Sequence, residues 1–295
     1  MAVVKKTKKQ WHDHWWPAPA KLNLMLNITS QRADGYHELQ TVFQLVAIYD
    51  WLNFTPKEDG VVDLECAVTD ILVDDNLIMR AAKLLKQHSG STSGVHMVVK
   101  KILPMGAGLG GGSSNAATTL LVLNELWGLG YTVDQLAKLG LELGADVPVF
   151  VYGQSAWAEG VGEVLTPLEL PEQWFVVVNS DHHCSTREVF QNNRLTRDNS
   201  AITIRDFLNG QMKNDCLPVV LEMNEELREI YQQFSIFSEV FLTGTGSSMF
   251  AKCNTRNEAV SLSKQLPDNW NKWIVKGLNE SPLQKSLKQF FNRLN

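Results

Sequence analysis

The order of apolar and polar positions near the start of the chain predicts a β-strand. Between Lys21 and Ile28, apolar residues largely alternate with polar ones, which is the period of a half-buried strand. The apolar face consists of Leu22, Leu24, Leu26 and Ile28. The opposite face carries Lys21, Asn23 and Asn27, so it points either to solvent or into a site.

The same patterns predict a mixture of strands and helices through the rest of the first half. Apolar segments predict strands at 39–54, 61–68 and 95–103. Apolar residues spaced three and four apart predict helices at 77–89, 116–127 and 133–143. Asp74-Asp75-Asn76 is a start signal for the first of these helices, and Thr132 with Gln135 forms a capping box before the third.

A change in composition after Gly162 predicts a second domain. Pro167 and Pro171 flank a polar connection, and an apolar segment then begins at Trp174. Helices are predicted at 224–234, at 257–265 and after Ser281-Pro282. Two domains also suit a chain of 295 residues, because one domain usually takes about 100 to 200 residues.

Charge and cysteine content exclude several classes of protein. Lys and Arg number 27 against 32 Asp and Glu, and the resulting net charge of −5 provides no general attraction for nucleic acid or an anionic membrane. The four cysteines are widely spaced and form no Cys-x-x-Cys pair, which argues against a zinc site and fits a reducing compartment. The sequence has no long apolar run and no signal-peptide pattern. We therefore expect a cytoplasmic protein with no nucleic-acid or membrane partner.

The first sixteen residues combine four lysines with a cluster of aromatic and histidine side chains. Their pattern matches neither a strand nor a helix. His12 and His14 have no further ligand in register, so they do not predict a metal site. We predict that segment 1–16 is a flexible tail.

A glycine-rich segment between the fourth predicted strand and the second predicted helix is the strongest chemical signal in the chain. Five glycines lie between Gly106 and Gly112. Glycine allows backbone N–H groups to converge on a ligand, and the helix that follows adds unpaired N–H donors and its positive end. We predict a phosphate cradle for a nucleoside triphosphate, formed by Pro104, Met105, Gly106, Ala107, Gly108, Leu109, Gly110, Gly111, Gly112, Ser113 and Ser114.

Two familiar glycine motifs do not account for this loop. Gly106 and Gly111 have the spacing of a P-loop, but Gly112 stands where the P-loop requires lysine. The dinucleotide pattern Gly-x-Gly-x-x-Gly is formally present, yet the acidic residue at the required distance, Glu125, falls inside a predicted helix. A nicotinamide-dependent oxidoreductase and a non-catalytic nucleotide-binding regulator remain as alternatives.

Phosphoryl transfer also needs a group that activates the acceptor and a cation that offsets charge. Asp146 is the candidate base, because it lies in a turn between Gly144 and Pro148 where a carboxylate has little value in packing. Lys21 is the candidate cation. Taken alone, each residue has an ordinary alternative, a turn-forming aspartate and a solvated lysine.

Five segments taken together resemble the small-molecule kinase family of galactokinase, homoserine kinase, mevalonate kinase and phosphomevalonate kinase. They are segments 19–24, 32–37, 104–117, 144–148 and 242–246, and the resemblance extends over residues 17–283. Two short segments narrow the resemblance within this family, namely Lys21-Leu22-Asn23 and Gly35-Tyr36-His37. They resemble the corresponding segments of family members from the non-mevalonate isoprenoid pathway, whose substrate carries a cytidine diphosphate group. Another kinase of the same family is the alternative.

The resemblance implies an α+β fold of two domains. Residues 17–166 would form a domain similar to the second domain of ribosomal protein S5, and residues 167–295 a ferredoxin-like domain. It also implies ATP and Mg²⁺ as cofactors, with transfer of the γ-phosphoryl group to a hydroxyl of a small molecule. The protein would be a monomer or a weak homodimer.

The resemblance further implies a role for individual residues. Asp146 would take the hydroxyl proton, while Lys21 would keep Asp146 ionised and offset phosphoryl charge. Asn76 and Lys101 would lie near the nucleoside of ATP. The cytidine end of the substrate would contact Asn23, Tyr36, His37, Phe43, Thr186 and Phe190. No residue is identified as a magnesium ligand.

The chain departs from the family pattern at two internal places. Segment 180–184 replaces a Pro-Gly pair found in many relatives, which affects the predicted shape of this loop. Gln191 follows Phe190 where some relatives have a basic residue, so a charge contact to the substrate would be absent.

Overall fold

The protein is built from one large, mostly antiparallel sheet with helices packed against it. The structure, a computed structural model, describes residues 6–67, 72–180, 182 and 184–292. The strands are β1 Trp15–Gln31, β2 His37–Lys57, β3 Val62–Cys66, β4 Gly94–Lys100, β5 Ala156–Glu159, β6 Val164–Pro167, β7 Trp174–Asn179, β8 Phe241–Leu242, β9 Ser248–Cys253 and β10 Asn271–Leu278. The helices are α1 Lys8–His12, α2 Leu77–Ser89, α3 Gly111–Leu126, α4 Val133–Leu143, α5 Val147–Tyr152, α6 Thr186–Gln191, α7 Ile204–Leu208, α8 Leu217–Met223, α9 Glu225–Ser235, α10 Arg256–Gln265 and α11 Pro282–Asn292.

Strand β2 is the centre of the sheet. The strands follow one another in the order β3-β4-β2-β10-β7-β9-β8, while β1 and β5 also pair with β2. Among the described strand pairs, β3 with β4 is parallel and the others are antiparallel. A dinucleotide-binding domain needs a parallel sheet made of βαβ units. The described sheet therefore does not support the oxidoreductase alternative.

Several predicted helix boundaries are confirmed by their caps. Helix α4 has the predicted bounds, and Thr132 and Gln135 make both hydrogen bonds of the capping box. The side chain of Asn76 accepts a hydrogen bond from the N–H of Ile78 at the start of α2. Helix α3 differs, because it already begins at Gly111 and so includes the end of the glycine run.

Strand β1 does not have the single apolar face that its alternation predicts. Leu22 and Leu24 pack in a central core with Phe175 and Phe250, whereas Leu26 and Ile28 pack in the core of the C-terminal half. The pairing of β1 with β2 shifts register between Asn23 and Leu26. Such a shift moves the following side chains to the other face of the sheet. The strand therefore serves two cores, and it is buried on both faces over most of its length.

The N-terminal segment is part of the fold from Thr7 onwards, which corrects the prediction of a flexible tail for that stretch. Thr7 caps α1, and Trp11 is 4% exposed. The Trp11 ring lies 4.9 Å from that of Phe290 and 5.7 Å from that of Phe291, both on α11. Periodicity did not reveal this helix because it is only five residues long and its stability comes from these distant contacts. Residues 1–5 lie outside the described part of the chain.

No helix within the described ranges combines the length and the apolar composition that crossing a bilayer requires.

Replacing Trp11 with alanine should lower the free energy of unfolding by about 3 kcal/mol, because it removes a large buried ring from the contact between α1 and α11. Urea unfolding of the purified protein measures this change. Lys9→Ala, an exposed position on the same helix, is the control and should change stability by less than about 0.5 kcal/mol. Equal stability of the two variants would contradict the proposed packing role.

Candidate active site

The glycine loop between β4 and α3 has the backbone geometry of an anion cradle. Gly106, Gly108 and Gly110 have φ values of +62°, +75° and +71°. Left-handed residues that alternate with right-handed ones turn successive N–H groups towards the same side. Helix α3 then begins at Gly111, and the first N–H groups of a helix have no acceptor within it. Left-handed glycines at alternate positions, followed directly by a helix start, are the backbone features that an anion cradle requires.

Hydrogen bonds fix this loop to two distant strands. The carbonyl oxygen of Leu109 accepts from the N–H of Lys21 on β1 at 3.0 Å. The carbonyl oxygen of Ala107 accepts from the N–H of Ser248 on β9 at 3.1 Å. The loop is thus attached to both halves of the chain.

Gly108 lies against the backbone that follows β8. A Cβ atom at this position would lie 2.2 Å from the carbonyl oxygen of Thr243, far inside van der Waals contact. The Thr243 hydroxyl donates to the carbonyl oxygen of Gly108 at 3.0 Å and accepts from the N–H of Asn23 at 2.9 Å. Glycine is required here because the two backbones approach so closely.

The ammonium group of Lys21 joins three segments of the chain. Lys21 is 3% exposed, and its Nζ lies 2.9 Å from the carbonyl oxygen of Gly108 and 3.3 Å from Oδ2 of Asp146. It also donates to Oδ1 of Asn23. An ammonium group has three N–H donors, and these three acceptors match them in number. The prediction that a charged pair forms between Lys21 and Asp146 is therefore supported by the geometry.

Asn23 is held in place by side chains that the sequence analysis did not single out. Its Nδ2 donates to the hydroxyl of Thr41 at 2.8 Å, and Thr41 donates to the carbonyl oxygen of Met25. This arrangement directs Oδ1 of Asn23 towards Lys21. Thr243 lies in one of the five segments that carry the family resemblance, but the pattern alone assigned it no role.

Asp146 is more accessible than its partner. It precedes helix α5, whose N-terminal turn contains Pro148, and its carboxylate makes no capping bond with that helix. The residue is 34% exposed and borders the larger of two cavities. One oxygen of the carboxylate is held by Lys21, while the side chain remains reachable from the cavity.

Two cavities meet at the glycine loop. The larger has a volume of about 970 Å³ and the smaller about 370 Å³. Both are bordered by Gly106, Gly108, Gly110, Ser113 and Thr186. Lys21 and Asp146 border the larger cavity. A ligand in either cavity would therefore have one end at this shared boundary.

The structure brings together nearly all of the residues that the sequence predicted for the site. Every predicted substrate residue borders the larger cavity, namely Asn23, Tyr36, His37, Phe43, Thr186 and Phe190. The predicted nucleotide residues that border the smaller cavity are Asn76, Lys101, Pro104, Met105, Gly106, Ala107, Gly108, Gly110, Gly111, Gly112 and Ser113.

Leu109 and Ser114 do not fit the predicted phosphate contacts. Leu109 is 2% exposed and packs in the central core, while Ser114 is completely buried. The N–H of Ser114 already donates to the carbonyl oxygen of Gly110. Neither residue borders either cavity. The loop alternates between facing the cavity and facing the core, which a run of small residues does not disclose.

A fully buried carboxylate holds the segment before the glycine loop. Asp50 on β2 accepts from the N–H groups of Ile102 and Leu103 at 2.7 and 2.9 Å, and from Nδ2 of Asn115 at 3.0 Å. It also forms an ion pair with Lys101, which borders the smaller cavity. The sequence signal for this role was a lone charged residue inside the apolar segment 39–54.

Comparison with known proteins agrees with this geometry. The family model described as GHMP kinases N terminal domain matches residues 76–154. A 4-diphosphocytidyl-2-C-methyl-D-erythritol kinase from Nitrosococcus oceani is 49% identical over 274 residues, covering 93% of this chain and 98% of that protein. The chain belongs to the 4-diphosphocytidyl-2-C-methyl-D-erythritol kinase family.

Other family members and solved structures extend this finding. A member from Pseudomonas paraeruginosa is 50% identical over 272 residues, which cover 92% of this chain and 96% of that protein. A crystal structure of a 4-(cytidine 5'-diphospho)-2C-methyl-D-erythritol kinase has a TM-score of 0.78 at 30% identity and covers 90% of this chain and 99% of its own. The mevalonate kinase of Methanococcus jannaschii has a TM-score of 0.67 at 14% identity, covering 90% of this chain and 98% of its own, and shares the fold.

Replacing Gly108 with alanine should displace the loop and weaken nucleotide binding at least tenfold, because the added Cβ collides with the carbonyl of Thr243. Gly128→Ala is the matched control. Gly128 has a φ of +64°, but no atom lies within 4 Å of the added Cβ. The control substitution should therefore lower the free energy of unfolding only by the strain of a left-handed alanine, about 1–2 kcal/mol, and leave the affinity for ATP unchanged. Calorimetric titration with ATP measures both variants, and equal affinities would contradict the close-contact explanation.

Proposed function

We propose that the protein transfers the γ-phosphoryl group of ATP to the 2-hydroxyl of the methylerythritol part of 4-diphosphocytidyl-2-C-methyl-D-erythritol. Membership of the family makes the protein an ATP-dependent kinase that acts on a small molecule. The observation that supports the transfer step is the Lys21–Asp146 pair at the larger cavity, beside the glycines that both cavities share. The choice of substrate is supported by the relatives that are about 50% identical.

ATP would occupy the smaller cavity with its phosphates against the glycine loop. The alternating left-handed glycines and the start of α3 supply N–H donors for the phosphate oxygens. Asn76 and Lys101 lie at the border of the same cavity and would be near the nucleoside. The γ-phosphoryl group would then lie at the shared boundary, within reach of a hydroxyl in the larger cavity.

Asp146 would act as the general base. As the substrate oxygen forms its bond to the γ-phosphorus, its proton passes to the Asp146 carboxylate and the bond to the β–γ bridging oxygen breaks, releasing ADP. The ammonium of Lys21 would offset the negative charge that accumulates beside it. Its contacts with Asn23 and Gly108 hold it in position during this step.

The cytidine end of the substrate would bind at the far end of the larger cavity. Tyr36, His37 and Phe190 provide aromatic surfaces for a flat pyrimidine, and the rings of His37 and Phe190 are 5.1 Å apart. Arg187 also borders this cavity and has no ion pair among the described residues. Arg187 lies four residues before Gln191 on α6, so the two side chains are on the same face of the helix. Gln191 is uncharged, and Arg187 would instead supply the positive charge that binds the diphosphate.

Mg²⁺ would accompany ATP, and the residues present fit its chemistry. No cluster of three or more His, Cys, Asp or Glu side chains suited to a metal occurs within the described ranges. Mg²⁺ often keeps several waters and takes one or two protein oxygens together with phosphate oxygens. The Ser113 hydroxyl borders both cavities, near Gly144, and is the side-chain oxygen that would hold it. When bound, the metal would neutralise part of the negative charge of the phosphates.

We also propose the two-domain division, with a boundary near residues 166 and 167 and residues 17–166 forming the domain similar to the second domain of ribosomal protein S5. The strands β7 to β10 lie in the order β10-β7-β9-β8 and are linked by helices in a βαββαβ arrangement, which supports a ferredoxin-like C-terminal domain. Segment 180–184 contains residues 181 and 183, which lie outside the described chain, so its loop shape stays a prediction. A monomer or weak homodimer remains our expectation.

Incubation with ATP, Mg²⁺ and 4-diphosphocytidyl-2-C-methyl-D-erythritol tests the proposed reaction by release of ADP. We expect release that depends on the cytidyl substrate, with the phosphate found on the 2-hydroxyl by ³¹P and ¹³C NMR. Mevalonate and homoserine serve as controls and should give background rates. Turnover of a control but not of the cytidyl compound would retain a kinase and refute this substrate.

Asp146→Asn should lower kcat by about two to four orders of magnitude while the protein stays folded, because the amide cannot accept the hydroxyl proton. Stopped-flow or coupled ADP assays measure kcat, and circular dichroism checks the fold. Asp134→Asn, an exposed aspartate on α4, is the control and should keep nearly full activity. Turnover of Asp146→Asn at the rate of the control would remove Asp146 from the role of base.

Arg187→Met should raise KM for the cytidyl substrate about tenfold with kcat nearly unchanged, which is the effect of losing one charge-assisted hydrogen bond of about 1.4 kcal/mol. The difference from the wild-type protein should shrink as salt is added. Arg205→Met, an exposed arginine on α7, is the control. An unchanged KM at low salt would show that Arg187 does not contact the diphosphate.

A further inference from the structure

An arginine outside the predicted site contacts the histidine at one end of the larger cavity. Nε of Arg197 donates to Nε2 of His37 at 3.0 Å. His37 is 6% exposed and is the first residue of β2. It packs against Phe190 and borders the larger cavity.

The Arg197 contact determines where the proton of His37 lies. A guanidinium group only donates hydrogen bonds, so Nε2 must offer a lone pair. In a neutral imidazole the other nitrogen then carries the hydrogen. Burial, followed by the nearby Arg197 charge, lowers the pKa of His37 below its usual value and favours the neutral ring.

Arg197 itself is fixed in one orientation. Its two terminal nitrogens donate to the carbonyl oxygens of Leu195 at 3.1 Å, Phe190 at 2.9 Å and Asn192 at 2.8 Å. These bonds use the planar fork of the guanidinium group and leave Nε directed at His37. Rotation of the Arg197 side chain away from His37 would therefore break its hydrogen bonds to three carbonyl oxygens.

The opposite side of the His37 ring is available to a ligand. Nδ1 has no hydrogen-bond partner among the described residues and is not among their fully buried unpaired atoms. Because His37 borders the larger cavity, an N–H at Nδ1 is a donor that a bound molecule can reach.

We propose that Arg197 is a positioning residue that holds His37 in the Nδ1–H tautomer, so that His37 presents a fixed donor to an acceptor on the pyrimidine ring of the substrate. This inference rests on the proposed function, because it assumes that a cytidine diphosphate group binds in the larger cavity. Cytosine offers N3 and O2 as acceptors. Uracil carries a hydrogen on N3, so a donor directed at N3 would also distinguish the two bases.

Nitrogen-15 NMR of the ligand-free protein tests the tautomer directly. The chain has seven histidines, and the signal that disappears in His37→Ala identifies His37. We expect Nδ1 to be protonated and Nε2 unprotonated in the wild-type protein, and we expect Arg197→Met to give a mixture rich in the Nε2–H form. Arg194→Met is the control, since Arg194 is an exposed residue of the same loop that pairs with Glu222. An Nε2–H tautomer in the wild-type protein would overturn the proposal.

Binding of cytidine diphosphate separates this role from simple support of the loop. Arg197→Met and His37→Ala should each raise the Kd for cytidine diphosphate about tenfold. In a protein that already carries His37→Ala, adding Arg197→Met should raise this Kd by less than about twofold more. A further tenfold loss in that background would mean that Arg197 supports the loop without acting through His37, which would overturn the proposal.

The ligand controls keep this proposal distinct from the proposed function. If the wild-type protein phosphorylates another substrate and does not bind cytidine diphosphate, the proposed function and this role fail together. If it binds cytidine diphosphate and Arg197→Met does not change the Kd, this role alone is refuted.

Discussion

The buried ammonium of Lys21 is the constraint on which the site depends. A charged group removed from water is stable only when it is paired and hydrogen-bonded. Lys21 meets this requirement with acceptors from β1, from the glycine loop and from Asp146, which precedes α5. These segments are far apart in the sequence, so satisfying one ammonium group also fixes their relative positions. The same contacts that make burial of the lysine tolerable bring a cation and a carboxylate to the predicted phosphate cradle.

The second constraint is the close approach of backbones around Gly108. The Thr243 hydroxyl links this loop to β1, and Ser248 links it to β9. Asp50 holds the other end of the loop from β2. Binding groups on irregular backbone are therefore positioned by regular strands, which is how a flexible sequence such as a glycine run acquires a defined shape.

Local signals in the sequence were sufficient for much of the fold. The capping box at Thr132 and the Asn76 cap gave helix boundaries that the structure confirms. The glycine run and the family resemblance together identified most residues that border the cavities. The register shift in β1, the docking of Trp11 and the roles of Asp50 and Arg197 were not predicted. Each depends on contacts between residues distant in the chain, which periodicity does not encode.

Strand β2 fixes the distance between the two ends of the larger cavity as well as forming part of its wall. His37 begins the strand, and Phe43, six residues later, lies with its ring 5.6 Å from the ammonium of Lys21. Six residues of extended chain span about 20 Å, so the proposed base-binding end and the proposed reaction centre are held about that far apart. The length of the strand between His37 and Phe43 thus favours a substrate of matching length. Under the proposed binding mode, a compound that carries the sugar alcohol without its nucleotide would contact only one of these two ends, because the paired strand cannot shorten.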